Sequence, residues 1–160
     1  MDLRVRLVPL EGMEARFLHP LAANVLEVIG CPVMVEPVPL AKKSPGDWVT
    51  ALGAAFPDDR WVVGVGLLSR GPLIDFGGGR VAVVRADRLI DGDGRRWLSR
   101  LMKAVNHAIG RLLGLGACGS DCVMGPVDTA EALDARPRFF CDGCRKALEA
   151  GLRAPGSPPG

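Results

Sequence analysis

Apolar and polar residues alternate from Leu3 through Arg4, Val5, Arg6 and Leu7, the period of a strand with one face in a core, and predict a strand over residues 3–9. Between residues 20 and 29 the apolar spacing becomes helical, and Gly30 then offers the glycine that commonly closes a helix. Residues 32–38 read as a second strand. A polar break containing Pro and Gly follows at 42–46, and Asp47 is placed to N-cap a helix reaching residue 56. The run 61–68 is continuously apolar and bounded by Pro57-Asp58-Asp59 and Ser69-Arg70-Gly71, so it predicts a central strand buried on both faces. Residues 80–85 form another strand, and 73–76 a short one between turn-forming clusters, which suits an edge beside a cleft. Phe76-Gly77-Gly78-Gly79 precedes a strand and no Lys-Ser/Thr pair follows, so it is expected to be a flexible connection and not a phosphate cradle. The longest helical pattern spans 95–113, with Leu98, Leu101, Met102, Val105, Ile109 and Leu112 on one stripe. Strands alternating with helices predict an α/β (α+β) domain.

Composition narrows this reading. A chain of 160 residues with 48% hydrophobic content supplies one real core, as a single domain or a domain with a small subdomain. The formal charge of +2 comes from interspersed acids and bases, which excludes a nucleic-acid stripe and a polybasic membrane patch. There is no apolar run of membrane-spanning length, and the opening strand pattern lacks the apolar core of a signal peptide, so a cytoplasmic location and no membrane contact are expected. Asp91-Gly92-Asp93-Gly94 is followed by Arg95-Arg96 where a calcium loop needs more oxygens, and reads as a turn. Residues 151–160, ending in a Pro- and Gly-rich stretch, are expected to form a disordered tail.

Cysteine spacing is more specific. Cys118-x3-Cys122 and Cys141-x2-Cys144 present two close pairs of sulfurs, which fit one tetrahedral four-cysteine structural zinc; buried free thiols, disulfides and an iron–sulfur cluster are the alternatives. Cys31, between Gly30 and Pro32, reads as a small buried hydrophobe. His19 precedes Pro20 and is expected at the surface.

The remaining motif sits at the end of the long helix. A metzincin zinc protease uses H-E-x-x-H-x-x-G-x-x-H, in which two His one turn apart and a third His bind zinc, Glu activates water and Gly turns the chain. The corresponding positions here are His107, Ala108, Arg111, Gly114 and Ala117. They are followed by Cys118, by Cys122-x-Met124 and by Phe139-Phe140-Cys141-Asp142-Gly143-Cys144. This order resembles the archaemetzincins from about Val105 to Lys146, and Gly79-Arg80-Val81-Ala82-Val83-Val84-Arg85 is similar to the strand before that family's active-site helix. The resemblance implies a metzincin-like fold: a mixed, mostly parallel twisted sheet with helices, a long active-site-type helix and a small zinc-stapled C-terminal lobe. It implies one domain over 1–150, with an N-terminal subdomain at 1–116 and the four-cysteine lobe at 117–150, and Met124 as the Met-turn residue beneath the metal site.

The departures at Ala108, Arg111 and Ala117 bear on activity. One imidazole does not hold a catalytic zinc, and no carboxylate stands at the general-base position. The expected protein is therefore a metalloprotease homologue without protease chemistry, with zinc in the cysteine site and a cleft in which an extended peptide or protein segment adds to the strand near 73–76. Arg111, one turn from His107, is expected to project toward it and substitute for the lost ion's charge; pairing with a structural acid is the alternative. His107 itself is expected to be hydrogen-bonded in the old cleft. Two rival readings are an active zinc peptidase using His107 with Asp121 or Asp128, and a zinc-ribbon nucleic-acid module, for which Arg138-Phe139-Phe140 supplies too little basic and aromatic surface.

Overall fold

The computed structural model describes residues 3–40 and 47–154. The expected polar break at 42–46, the first two residues and tail residues 155–160 lie outside the described residues. Five strands form one sheet in the order β2-β1-β3-β5-β4: β1 Val5–Pro9, β2 Val33–Val35, β3 Trp61–Gly66, β4 Ile74–Gly77 and β5 Val81–Arg85. Neighbours pair in parallel except β4, which runs antiparallel to β5 at the edge. The mixed, mostly parallel α/β sheet expected from the sequence is present, and the continuous apolar run becomes its fully buried centre strand.

Period-2 alternation divides the core between two faces. Leu7, Val63, Val65, Ala82 and Val84 face α1 (His19–Ile29) and α3 (Gly94–Leu112), whereas Val8, Val62, Val81 and Val83 pack with Trp48 and Leu52 of α2 (Trp48–Ala55). Gly64 permits the close seat of α2: a Cβ there would lie 2.6 Å from the Leu52 Cδ1 and 2.7 Å from the Leu10 Cδ1. The helix boundaries follow their caps. Gly30 ends α1 at φ 79°, Asp47 accepts a 3.2 Å hydrogen bond from the Thr50 N–H to start α2, and Asp93 accepts from Arg95 and Arg96 to start α3. The acidic turn before α3 is thus a capping device, with Asp91 paired to Arg96.

The structure adds detail to the hairpin and corrects the start of the expected tail. In the connection at Gly77-Gly78-Gly79, Gly78 and Gly79, at φ 62° and 69°, form the tight turn of the β4–β5 hairpin, a geometry that favours glycine. The chain after residue 113 carries two further helices, α4 (Ala130–Asp134) and α5 (Asp142–Arg153), so Gly151–Arg153 are helical and not part of a tail starting at 151. Residues 117–150 pack against the body of the chain. Met124, Leu133, Phe140 and Leu148 join the α1–α3 core, because the amphipathic face of α3 reaches past the sheet and needs cover at its C-terminal end.

Candidate functional site: a cysteine cluster behind a cleft

The last turns of α3 position one wall of the site. His107 and Arg111 lie one turn apart and both border a cleft of about 360 Å³, whose opposite wall is Pro72, Leu73, Ile74 and Phe76. Arg88, Val127 and Asp128 complete it. The rim before β4 is fixed by Arg85, whose buried guanidinium donates to the Arg70 and Pro72 carbonyls while its backbone N–H bonds the Leu73 carbonyl. Among the described residues β4 pairs with β5 alone, and its Phe76 N–H is bonded to the Asp75 carboxylate at 3.1 Å. The short edge strand is where the sequence placed it.

His107 Nδ1 lies 2.9 Å from the Val123 carbonyl oxygen. A carbonyl only accepts, so Nδ1 carries the proton and Nε2 keeps its lone pair. Metal-binding histidines are commonly oriented in this way by their second nitrogen. Burial is the main cause that pushes the His107 pKa below its ordinary 6.5; the Val123 hydrogen bond opposes this, the Arg111 charge adds to it, and Asp128 opposes it more weakly. The other motif positions diverge. Ala108 is fully buried in the core, Gly114 ends the helix region at φ 93°, and Ala117 is exposed and outside the cleft wall. Met124 is fully buried against α3: a Cβ on Gly110 would fall 2.5 Å from its Sδ. Asp121 is exposed and does not border the cleft, whereas Asp128 does. His19 is exposed, and Cys31 is buried with its thiol bonded to the Leu3 carbonyl at 3.3 Å.

Behind this wall, Cys118, Cys122, Cys141 and Cys144 bring their four sulfurs within 4.8 Å of one another. A tetrahedral zinc with Zn–S bonds of about 2.3 Å requires sulfurs about 3.8 Å apart. Cys118 and Cys141 are already at 3.7 Å. The Cys122 sulfur accepts the N–H groups of Met124 and Cys141, each at 3.4 Å, an arrangement that stabilises a thiolate. Cys141 stands at the N-cap of α5 and Cys144 in its first turn, so the C-x-x-C spacing turns both sulfurs inward. The Ser120 backbone N–H, then Cys141, draws the Cys118 thiol down to about 7, while burial pushes Cys122 and Cys144 up. This donor set fits zinc. Among the described residues, these cysteines form the one group of three or more metal-capable side chains.

Some residues of the site carried no signal in sequence. Arg88 belongs to a single 3-10 turn at Ala86–Leu89, and nothing in its neighbours marks it as a cleft residue. Arg100 is nearly fully buried, donating to the Leu89 carbonyl at 2.9 Å and to Asp134 at 2.9 and 2.6 Å, and so ties α3 to α4. Asn24 and Asn106 are buried partners at 2.8 Å, and Asn106 also donates to the Arg138 carbonyl. Among the described residues no helix is long and apolar enough to cross a membrane.

The profile of peptidase family M54 matches residues 67–150, which contain β4, β5, α3, the cleft and all four clustered cysteines. An archaemetzincin of Methanopyrus kandleri is 35% identical over 79 residues, covering 49% of this chain and 45% of the relative. One of Archaeoglobus fulgidus is 33% identical over 91 residues, covering 54% and 57%. The chain's matches thus span about half the length of these curated relatives. The crystal structure of the Methanopyrus kandleri archaemetzincin superposes with a TM-score of 0.74 over 96% of this chain and 97% of that one, at 24% identity, and so supports the fold.

Proposed function

The chain belongs to peptidase family M54, and from that premise we propose that it is a proteolytically inactive archaemetzincin homologue with one structural zinc and a surviving peptide cleft. The carrying observation is what faces the cleft: a single imidazole, His107, with a guanidinium, Arg111, one turn away. Hydrolysis by a zinc peptidase needs an ion to polarise the carbonyl and acidify water, and a carboxylate to take the proton. Arg111 has five donors and no lone pair, and Ala108 offers a methyl group turned into the core. The residues at this position do not fit a catalytic zinc. Support for the Met-turn reading of Met124 comes from its full burial against Gly110, where it packs whether or not a metal lies above.

The structural zinc rests on the cysteine donor set, which would hold it as a tetrahedral thiolate centre and supply rigidity without an open coordination position. An enzyme with unusual ligands is less well supported. His107 and Asp128 border one cleft, but together they supply two ligands where catalytic zinc sites commonly use three, and Asp121 is elsewhere. The nucleic-acid reading is weakened because Arg138 is engaged with Glu27 and Asn24 and stacks on Phe139. We read residues 3–153 as one body, the four-cysteine segment being its stapled end.

The test is a peptidase assay on rigorously purified protein with a panel of unstructured peptides at neutral pH. No cleavage above buffer is expected. Chelator-sensitive hydrolysis that disappears in His107→Ala would overturn the proposal and promote the unusual-ligand enzyme.

A further inference from the structure

Two guanidinium groups border the cleft without partners of their own. Among the described residues, neither Arg88 nor Arg111 takes a hydrogen bond or an ion pair. The arginines around them are all committed: Arg85 to backbone carbonyls, Arg96 to Asp91, Arg100 to Asp134. The cleft contains one carboxylate, Asp128, which lies beyond ion-pair distance from both free cations, and an imidazole held on the neutral side by burial. Within the cleft two cations face one anion, and Arg88 also borders the adjoining pocket that holds Asp91, Glu131 and Asp134. An exposed guanidinium of this kind has a rigid fork that matches a carboxylate with two hydrogen bonds.

The opposite wall adds a second requirement. Phe76, 40% exposed, presents apolar surface, and the edge of β4 away from β5 presents backbone groups in strand register, of which the Phe76 N–H is already bonded to the Asp75 carboxylate at 3.1 Å. An inorganic anion would use neither feature. An extended chain uses both: its backbone pairs with β4, and a side chain covers Phe76.

We infer that the cleft captures the C-terminal end of an apolar-ended peptide, its terminal carboxylate received by Arg111 and Arg88 and its backbone lying along β4. This rests on the reading of the cleft as a non-hydrolysing peptide site and names the ligand class. Arg111 takes the place of an ion as the positive group at the head of the helix wall, and the position that departs from the zinc motif becomes a receptor for the carboxylate.

The experiment is fluorescence anisotropy on the purified full chain with an N-terminally labelled Ala-Ala-Ala-Leu peptide, as the free acid and as the C-terminal amide. Hydrogen bonds to a charged group predict that the acid binds roughly 10- to 100-fold more tightly than the amide. Arg111→Met and Arg88→Met should each shrink that ratio, with melting temperatures unchanged because both side chains are exposed. Equal binding of acid and amide, absence of binding by both, or an acid preference that survives both substitutions would overturn the inference. So would displacement of the acid by inorganic phosphate at equal concentration, which would mark a simple anion site. Chromatography of the same mixtures separates this proposal from the preceding one: peptide fragments would refute inactivity, whereas the acid-to-amide ratio reports carboxylate capture in either case.

Discussion

Replacing Cys141 by Ser tests the metal centre with little local disturbance. Cys141 is the N-cap of α5, a position that Ser fills well, so the helix start is not weakened by the exchange. What is lost is one of four sulfurs. A zinc held by all four sulfurs would cross-link the 118/122 pair to the 141/144 pair across the 18 residues between Cys122 and Cys141. Closing a loop of about this length constrains the unfolded chain by about 3 kcal/mol. A structural zinc in an isolated finger is worth more, on the order of 10 kcal/mol, because such a finger has no other core. Here Leu133, Phe140 and Leu148 belong to the common core, so the metal-free chain should stay folded and lose chiefly the constraint. For a domain of this size about 3 kcal/mol corresponds to a fall in Tm of roughly 6–12 °C. Elemental analysis should find one zinc per wild-type chain and far less in Cys141→Ser, and calorimetry should show the fall. A strong chelator should bring the wild type down to the variant and leave the variant where it is. A zinc-free wild type, or a variant melting within about 2 °C of it, would refute the assignment.

Three other predictions follow from charged groups in and around the cleft. Arg111→Met removes a cation that lowers the His107 pKa, so the Cε1 proton resonance of His107 should titrate at higher pH in the variant, and no change or a fall would show that Arg111 points elsewhere. The sign for stability also follows: the folded chain binds the His107 proton less readily than the unfolded one, so stability is full above about pH 6.5 and declines as pH falls below it, a slope that denaturant midpoints should show weakened in His107→Phe. Asp134→Ala strands the Arg100 guanidinium, whose side chain is 6% exposed against 38% for Asp134. Breaking a fully buried pair costs more, so with this exposure a loss of about 1–2 kcal/mol in urea unfolding is expected, and an unchanged midpoint would show that Asp91, 3.7 Å away, suffices.

Which parts of this molecule were legible in sequence depends on how local their causes are. β1, β3 and β5 could be read because each needs only its own alternation or apolar run, α1 and α2 because Gly30 and Asp47 mark an end of each, and α3 because its apolar stripe is long. α5 is amphipathic, but it opens on the Cys141–Cys144 pair, whose spacing reads as metal ligation before it reads as a helix start. α4 is a single turn capped by Thr129. The cysteine site was legible because zinc imposes short ligand spacings on the chain. The Arg100–Asp134 and Asn24–Asn106 pairs, separated by 34 and 82 residues, have no counterpart in local pattern.

The cleft shows where motif reading and geometry part. As a linear pattern, His107, Ala108, Arg111, Gly114 and Ala117 form one frame, but in the fold only His107 and Arg111 border the cleft. Reversion to Ala108→Glu would therefore set a carboxylate at a fully buried position in the α1–α3 core, where ionisation is costly without a partner. The departures are coupled: once the helix packs Ala108 inward, restoring the zinc ligands alone does not restore the base. Arg88 and Asp128, which no motif includes, occupy the wall instead. On the proposed reading the cleft's chemistry is set by those two residues with Arg111 and an imidazole whose pKa burial lowers, a set suited to receiving a carboxylate.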